Sequence, residues 1–239
     1  MQILYETPSK IILNNDQLIV NGKQHQREGR KLSKLKDVLK RNPDLDKGDP
    51  DIYHMFREVY RKGDIRFDIT IIKGKPIEDE FAKTYGHAHP KANESMTYPE
   101  IYQVLSGSGC FLLQKTNRDE SVDVLIIKAA RGDILLIPPN FAHVSINTGS
   151  DDLILSNIVY DKFESDYTDF KTNRGAALYI TTDGNTEQNS NYIIHNISRP
   201  NVEEFNKSYG FECKDILAEL DQNPAKFEFL KDPALFFKV

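Results

Sequence analysis

Gly86-His-Ala-His89 sets two imidazoles two residues apart. On an extended chain alternate residues share a face, so both rings point to one side. Glu100 opens the run Glu-Ile-Tyr-Gln-Val-Leu-Ser-Gly107, and His143 sits inside Gly132-x5-Pro138-x4-His143-x3-Asn147. Three imidazoles and a carboxylate suit a divalent first-row metal. Zinc settles for four ligands, whereas iron or manganese accept six and leave two positions for substrate or water. A histidine without neighbours of this kind carries no such weight. His25, His54 and His195 are therefore read as structural or surface residues.

Such a cluster needs strands to aim it. Lys10–Leu13 and Leu18–Val20 flank Asn14-Asn15-Asp16 and predict a β-hairpin. Ser33 is expected to cap a short helix running through Val38 and Leu39, and Asp44–Asp51 to form a loop. From Ile52 onward short strands alternate with turns: Ile52–Tyr60, Arg66–Ile72, Ile101–Leu105, Cys110–Gln114, Val122–Lys128, Ile134–Ile137, Ala142–Asn147 and Leu153–Tyr160. This rhythm predicts an all-β barrel or sandwich. Ala176–Thr181 and Tyr192–Asn196 read as further strands, Asp183–Asn191 as a polar loop, Lys214–Leu220 as a helix, and Phe227–Phe237 as an aromatic segment that packs onto the barrel or a partner subunit.

The net charge of −5 argues against nucleic acid as a partner, because phosphate backbones select basic faces. A locally positive pocket in an acidic chain still admits a small anion. Apolar runs such as Val124–Ile127 and Ile134–Pro139 fall far short of the roughly 20 residues that span a bilayer. The first residues show no basic stretch followed by an apolar one, so no secretory signal is expected and the expected location is the cytoplasm. Cys110 and Cys213 make no metal pair or disulfide framework and read as free thiols.

The two histidine-bearing blocks resemble the two motifs of the cupin superfamily. That resemblance implies an all-β cupin (jelly-roll) barrel with short N- and C-terminal helical additions. The implied layout is an N-terminal extension over residues 1–48, a barrel over 49–195 and a C-terminal extension over 196–239. Two features depart from the pattern: a long gap between His89 and Glu100, and Asn140 in a position usually held by Gly. The gap makes Glu94 a rival ligand. Glu100 is preferred because its spacing to Gly107 fits the motif and Ile-Tyr-Gln-Val after it reads as a strand; Lys91–Pro99 then becomes a loop at the barrel mouth.

Thr84-Tyr-Gly-His-Ala-His-Pro90, Pro99-Glu-Ile-Tyr-Gln-Val-Leu-Ser-Gly-Ser-Gly109, Phe111-Leu-Leu-Gln114 and Ile137-Pro-Pro-Asn-Phe-Ala-His143 carry a narrower resemblance, over about Asp49 to Tyr167. It is to the cupin-type glucose-6-phosphate isomerases of archaea and some bacteria. It implies metal ligands at His87, His89, Glu100 and His143, with Fe2+ the first expectation and Mn2+, Zn2+ or Ni2+ compatible. It implies phosphate contacts at Thr70, Thr84 and Gly86, and pocket tyrosines at Tyr53, Tyr102, Tyr160 and Tyr167. A homodimer acting on a sugar phosphate, with no nucleic acid and no membrane, is the implied setting. A family histidine falls near Ser165, which leaves the ring-opening acid or base open, with Lys162 and Asp166 nearby. Proton transfer with Glu100 as base, assisted by Tyr102, and a metal-assisted hydride shift both remain open. An iron cupin dioxygenase and a non-catalytic sugar-binding cupin are the competing readings.

Overall fold

The structure, a computed structural model, describes residues 1–238. Its first strands are β1 (Gln2–Tyr5), β2 (Ile11–Asn14), β3 (Gln17–Val20) and β4 (Lys23–Gln24), which form one antiparallel sheet in that order. Asn14 pairs with Gln17 across a two-residue turn in which Asn15 has φ +52°, a left-handed conformation that Asn tolerates. The expected hairpin is therefore present.

The barrel strands are β5 (Glu28–Lys31), β6 (Asp51–Lys62), β7 (Ile65–Ile72), β8 (Glu100–Ser106), β9 (Ser108–Thr116), β10 (Val122–Ala130), β11 (Ile134–Ile137), β12 (Ala142–Ile146) and β13 (Leu153–Tyr160). β14 (Leu178–Ile180) and β15 (Thr186–Gln188) form a small ladder, and β16 (Ile194–Ser198) runs parallel to β10. One barrel sheet has the order β11-β8-β13-β7-β6-β5, the other β12-β9-β10-β16. Glu28–Lys31 thus forms an edge of the larger sheet.

Strand alternation decides what faces where. Phe67, Ile69 and Ile71 of β7, Ile101 of β8 and Ile154 and Ile158 of β13 share one apolar cluster on the outside of the larger sheet. The chain termini cover this face. Ile11, Leu13 and Leu18 come from the N-terminal sheet, and Phe211, Ile216, Leu217, Leu220, Phe227 and Phe229 from the C-terminal segment. Tyr5 Oη donates to Gln103 Oε1 at 3.3 Å, and the Ile216 N–H donates to the same atom at 3.1 Å. The aromatic tail therefore packs on the barrel. The opposite phase of β7, Arg66, Asp68 and Thr70, looks into the barrel and lines its cleft.

Several expected elements shift. Helix α1 (Leu32–Leu35) runs on into a 3-10 turn over Lys36–Val38, and its N-cap is Lys31, not Ser33. The Ser33 N–H and hydroxyl instead donate to the Asp49 carboxylate at 2.7 and 2.8 Å. The Asp44–Asp51 loop holds a 3-10 turn over Leu45–Lys47 capped by Asp44, and Asp51 already belongs to β6. β15 lies within the expected polar loop. Two helices are additional, α2 (Thr168–Thr172) and α3 (Val202–Ser208), the latter opened by a reciprocal Asn201/Glu204 capping box. α4 (Ile216–Gln222) begins where Asp215 accepts from the N–H groups of Leu217 and Ala218. Cys110 is buried, Cys213 half-buried, and both are free thiols. Among the described residues no helix is long and apolar enough to cross a membrane.

Candidate metal centre and active-site cleft

Three separate pieces of backbone deliver the chemistry-bearing side chains. Glu100 is the first residue of β8 and pairs with Ile137 on one side and Val159 on the other. His143 comes from β12 in the opposite sheet, paired with Leu113. His87 and His89 lie on an extended segment that bridges to β12: the His87 N–H donates to the His143 carbonyl at 3.1 Å, and the His143 N–H donates back at 2.9 Å. Gly86 starts this segment at φ +82°, where a Cβ would stand 2.6 Å from the Phe170 ring. Only glycine meets both demands without rearrangement.

One ligand atom from each of His87, His89, Glu100 and His143 lies within 4.8 Å of the others. Glu100 Oε2 is 3.2 Å from His143 Nε2, 3.3 Å from His89 Nε2 and 4.0 Å from His87 Nε2. Its other oxygen, Oε1, accepts from Asn157 Nδ2 at 2.7 Å. His89 Nδ1 is 2.8 Å from the Tyr98 carbonyl, which only accepts, so Nδ1 carries a proton and Nε2 is the atom turned toward the cluster. That nitrogen lies 3.2 Å from His87 Nε2.

Burial, then the neighbouring His143 and His89, hold His87 well below the ordinary imidazole range; burial also lowers His143. Burial opposes the charge on Glu100, but the His143 and His89 rings beside it prevail and keep its carboxyl well below the usual range. Neutral imidazoles and an ionised carboxylate are the protonation states a metal requires. Glu100 Oε2 is buried without a hydrogen-bond partner, and the Nε2 atoms of His87, His89 and His143 converge on the same space. A divalent cation fits this donor set, and the cluster could hold one.

The cluster lies at one side of a narrow cleft with about 70 Å³ of free internal space. Tyr53, Thr70, Thr84, Gly86, Tyr102 and Tyr167 all line it. Tyr102 Oη is 3.4 Å from His143 Nε2, and Tyr53 Oη accepts from the Tyr85 N–H at 3.4 Å. Thr84 Oγ1 accepts from the Ser145 N–H at 3.1 Å.

Tyr160 does not line the cleft. Val159 takes the inward phase of β13, so Tyr160 points the other way and its ring lies 5.2 Å from Tyr98. Glu94 is exposed on the loop after His89 and stands outside the cluster. Ser165 lines the cleft, whereas Lys162 is exposed and pairs with Asp64 and Asp161, and Asp166 accepts from the Thr168 N–H.

Asn140 has φ +70° and ties the mouth loop down. Its N–H donates to Thr97 Oγ1 at 2.7 Å, and its side-chain amide donates to the Ser95 carbonyl at 2.9 Å. The departure from Gly therefore keeps the left-handed backbone and adds an anchor for the longer loop. Arg57, Arg66, Asp68, Asn157 and Phe163 also line the cleft and were not anticipated. Reading the polar phase of β7 as the inward one would have found Arg66 and Asp68.

Two facing sheets with three histidines and a glutamate converging between them define a metal-competent cupin barrel. Residues 30–196 match the glucose-6-phosphate isomerase (GPI) family, and the chain belongs to that family. It is 32% identical over 107 residues to a glucose-6-phosphate isomerase of Thermococcus litoralis, covering 44% of this chain and 52% of that protein. It is 29% identical over 143 residues to the enzyme of Thermococcus kodakarensis, covering 59% of this chain and 71% of that one. The chain thus spans about half the length of the first of these relatives. Among solved structures, a cupin 2 conserved barrel domain protein from Rhodopseudomonas palustris is 16% identical with a TM-score of 0.33, covering 47% of this chain and 63% of that one.

Proposed function

We propose that this chain interconverts glucose 6-phosphate and fructose 6-phosphate with a divalent metal held by His87, His89, Glu100 and His143. The observation that supports this reading most strongly is the convergence of those four side chains beside a cleft lined by hydroxyls, in a chain of the isomerase family. Bound there, the cation would supply Lewis acidity at the substrate's C1 and C2 oxygens.

The protein groups then divide the work. Thr70, Thr84 and the Gly86 N–H offer donors to the phosphate, while Tyr53 and Tyr167 hydrogen-bond sugar oxygens. Glu100, only weakly held by the cation once substrate is present, would take the proton beside the carbonyl through Oε2, while Asn157 keeps its carboxylate oriented through Oε1. Tyr102, buried against His143, donates toward the developing oxyanion. Fe2+ as the resident ion, assembly as a homodimer and a place in sugar metabolism of the cytoplasm complete the proposal.

A coupled assay with fructose 6-phosphate, run with and without a chelator, tests it. Chelator-sensitive isomerisation without oxygen uptake supports the isomerase; oxygen uptake supports a dioxygenase, and binding without turnover a sugar-binding protein. Solvent deuterium appearing in product supports Glu100 as base, and its absence in a single turnover supports a hydride shift.

A further inference from the structure

We infer that Arg57 is the specificity-determining cation that recognises the phosphate end of the substrate, an inference that rests on the sugar-phosphate reading above. The hydroxyl and N–H donors of Thr70, Thr84 and Gly86 carry no full charge, so a dianion placed among them lacks a counter-charge on their side. Two arginines line the cleft. Arg66 is committed, its Nε donating to Asp68 Oδ2 at 2.9 Å. Arg57 is paired more loosely. It forms ion pairs with Glu28 and Asp68 at 3.6 and 3.8 Å, both longer than a hydrogen bond, and the one hydrogen bond of its side chain among the described residues is a 3.5 Å contact to the Met55 sulfur. A guanidinium has five N–H groups in a fork that matches phosphate. Most of this one's donors are unused, and 38% of the side chain is exposed.

The backbone is shaped to put it there. β6 pairs Phe56 with Ile69 and Tyr60 with Phe67, so two extra residues bulge out of the strand between them. Glu58, in that bulge, is a non-glycine residue at φ +57°. Such conformations persist where surrounding contacts hold them. Here the Glu58 N–H donates to Asp68 Oδ1 at 2.7 Å, and the Arg57 carbonyl accepts from His25 Nε2 at 2.8 Å. Asp68 and His25 are thus positioning residues for Arg57.

The register places Arg57 where a chain-like sugar phosphate would pass. Thr70 pairs with Met55 on β6, and Arg57 lies two residues further on. Across the sheet Asp68 pairs with Asn157, and Asn157 with Tyr102, one row from Glu100. Arg57, beside Asp68, therefore stands between the threonine donors and the metal ligands.

The test uses the metal-loaded full chain, with Arg57→Gln and Arg57→Lys compared by metal content and steady-state kinetics on fructose 6-phosphate. The expected result is a KM raised at least about tenfold in Arg57→Gln, a kcat within about twofold, and substantial recovery in Arg57→Lys. Calorimetric titration with inorganic phosphate should show a parallel loss of affinity. An unchanged KM, or a fall in kcat at constant KM, overturns the inference. If the wild-type chain does not turn over the sugar phosphate, the isomerase reading fails by itself. The phosphate titration then decides: lost binding in Arg57→Gln sustains the role of Arg57, and retained binding overturns it.

Discussion

Asn157 on β13 donates through Nδ2 to Oε1 of Glu100 at 2.7 Å, and both groups are buried. The bond pins one carboxylate oxygen and leaves the other, Oε2, aimed at the three imidazoles. A carboxylate free to rotate would present that oxygen only part of the time. Groups that orient a ligand in this way matter to affinity nearly as much as the ligands.

Asn157→Ala should therefore weaken metal binding about 10- to 100-fold without removing a ligand. Competition against a chromogenic chelator measures this. Wild-type affinity in the variant would mean that packing alone orients Glu100.

Gly86→Ala should lower stability through two separate faults. The backbone there has φ +82°, and the added methyl would meet the Phe170 ring at 2.6 Å. A left-handed non-glycine residue costs about 1–3 kcal/mol. For a chain of this size that corresponds to a drop of roughly 2–12 °C in melting temperature. Adding Phe170→Leu should recover part of the loss by relieving the contact while the backbone cost stays. Full recovery in the double variant would show that the left-handed conformation costs nothing here.

His54 and His195 should titrate on opposite sides of the ordinary imidazole value of 6.5. Burial lowers His54, which is 2% exposed, although Asp16 pulls the other way. A hydrogen bond from its ring to Asp123 raises His195 on the surface. Below pH 6.5 the unfolded chain protonates His54 more readily than the folded one does, so the unfolded state binds more protons there. Stability contributed by neutral His54 is therefore present above pH 6.5 and declines as pH falls through its lowered value. Proton NMR of the histidine C2–H signals between pH 4 and 9 reads both midpoints. A His54 midpoint above that of His195 would contradict the assignment.

The strands were legible because each is short, β-rich and bounded by turn residues; Ile134–Ile137 and Leu153–Tyr160 fall on the residues expected. The sense of their alternation was not legible. Phe67, Ile69 and Ile71 look like a core face, and they are one, but the partner that buries them is the pair of chain termini. On β7 the barrel interior takes the polar phase, Arg66, Asp68 and Thr70, and nothing in a single strand tells which side the termini cover. Tyr160 lies one residue out of phase from the inward Val159, beside Tyr98 and Phe163. Arg57 depends on the bulge around Glu58, a backbone feature that no glycine or proline announces. The metal cluster was the opposite case. His87, His89, Glu100 and His143 are residue types whose chemistry is specific enough to stand out before any contact is known.

The most direct measurement is metal content by plasma mass spectrometry on the purified chain and on His143→Ala. His143 is 1% exposed and its Nε2 lies 3.2 Å from Glu100 Oε2. The wild-type chain should carry about one equivalent of a divalent first-row metal, and the variant well under a tenth of that after the same mild dialysis. Equal, stoichiometric metal in both proteins would contradict a site built from these four side chains.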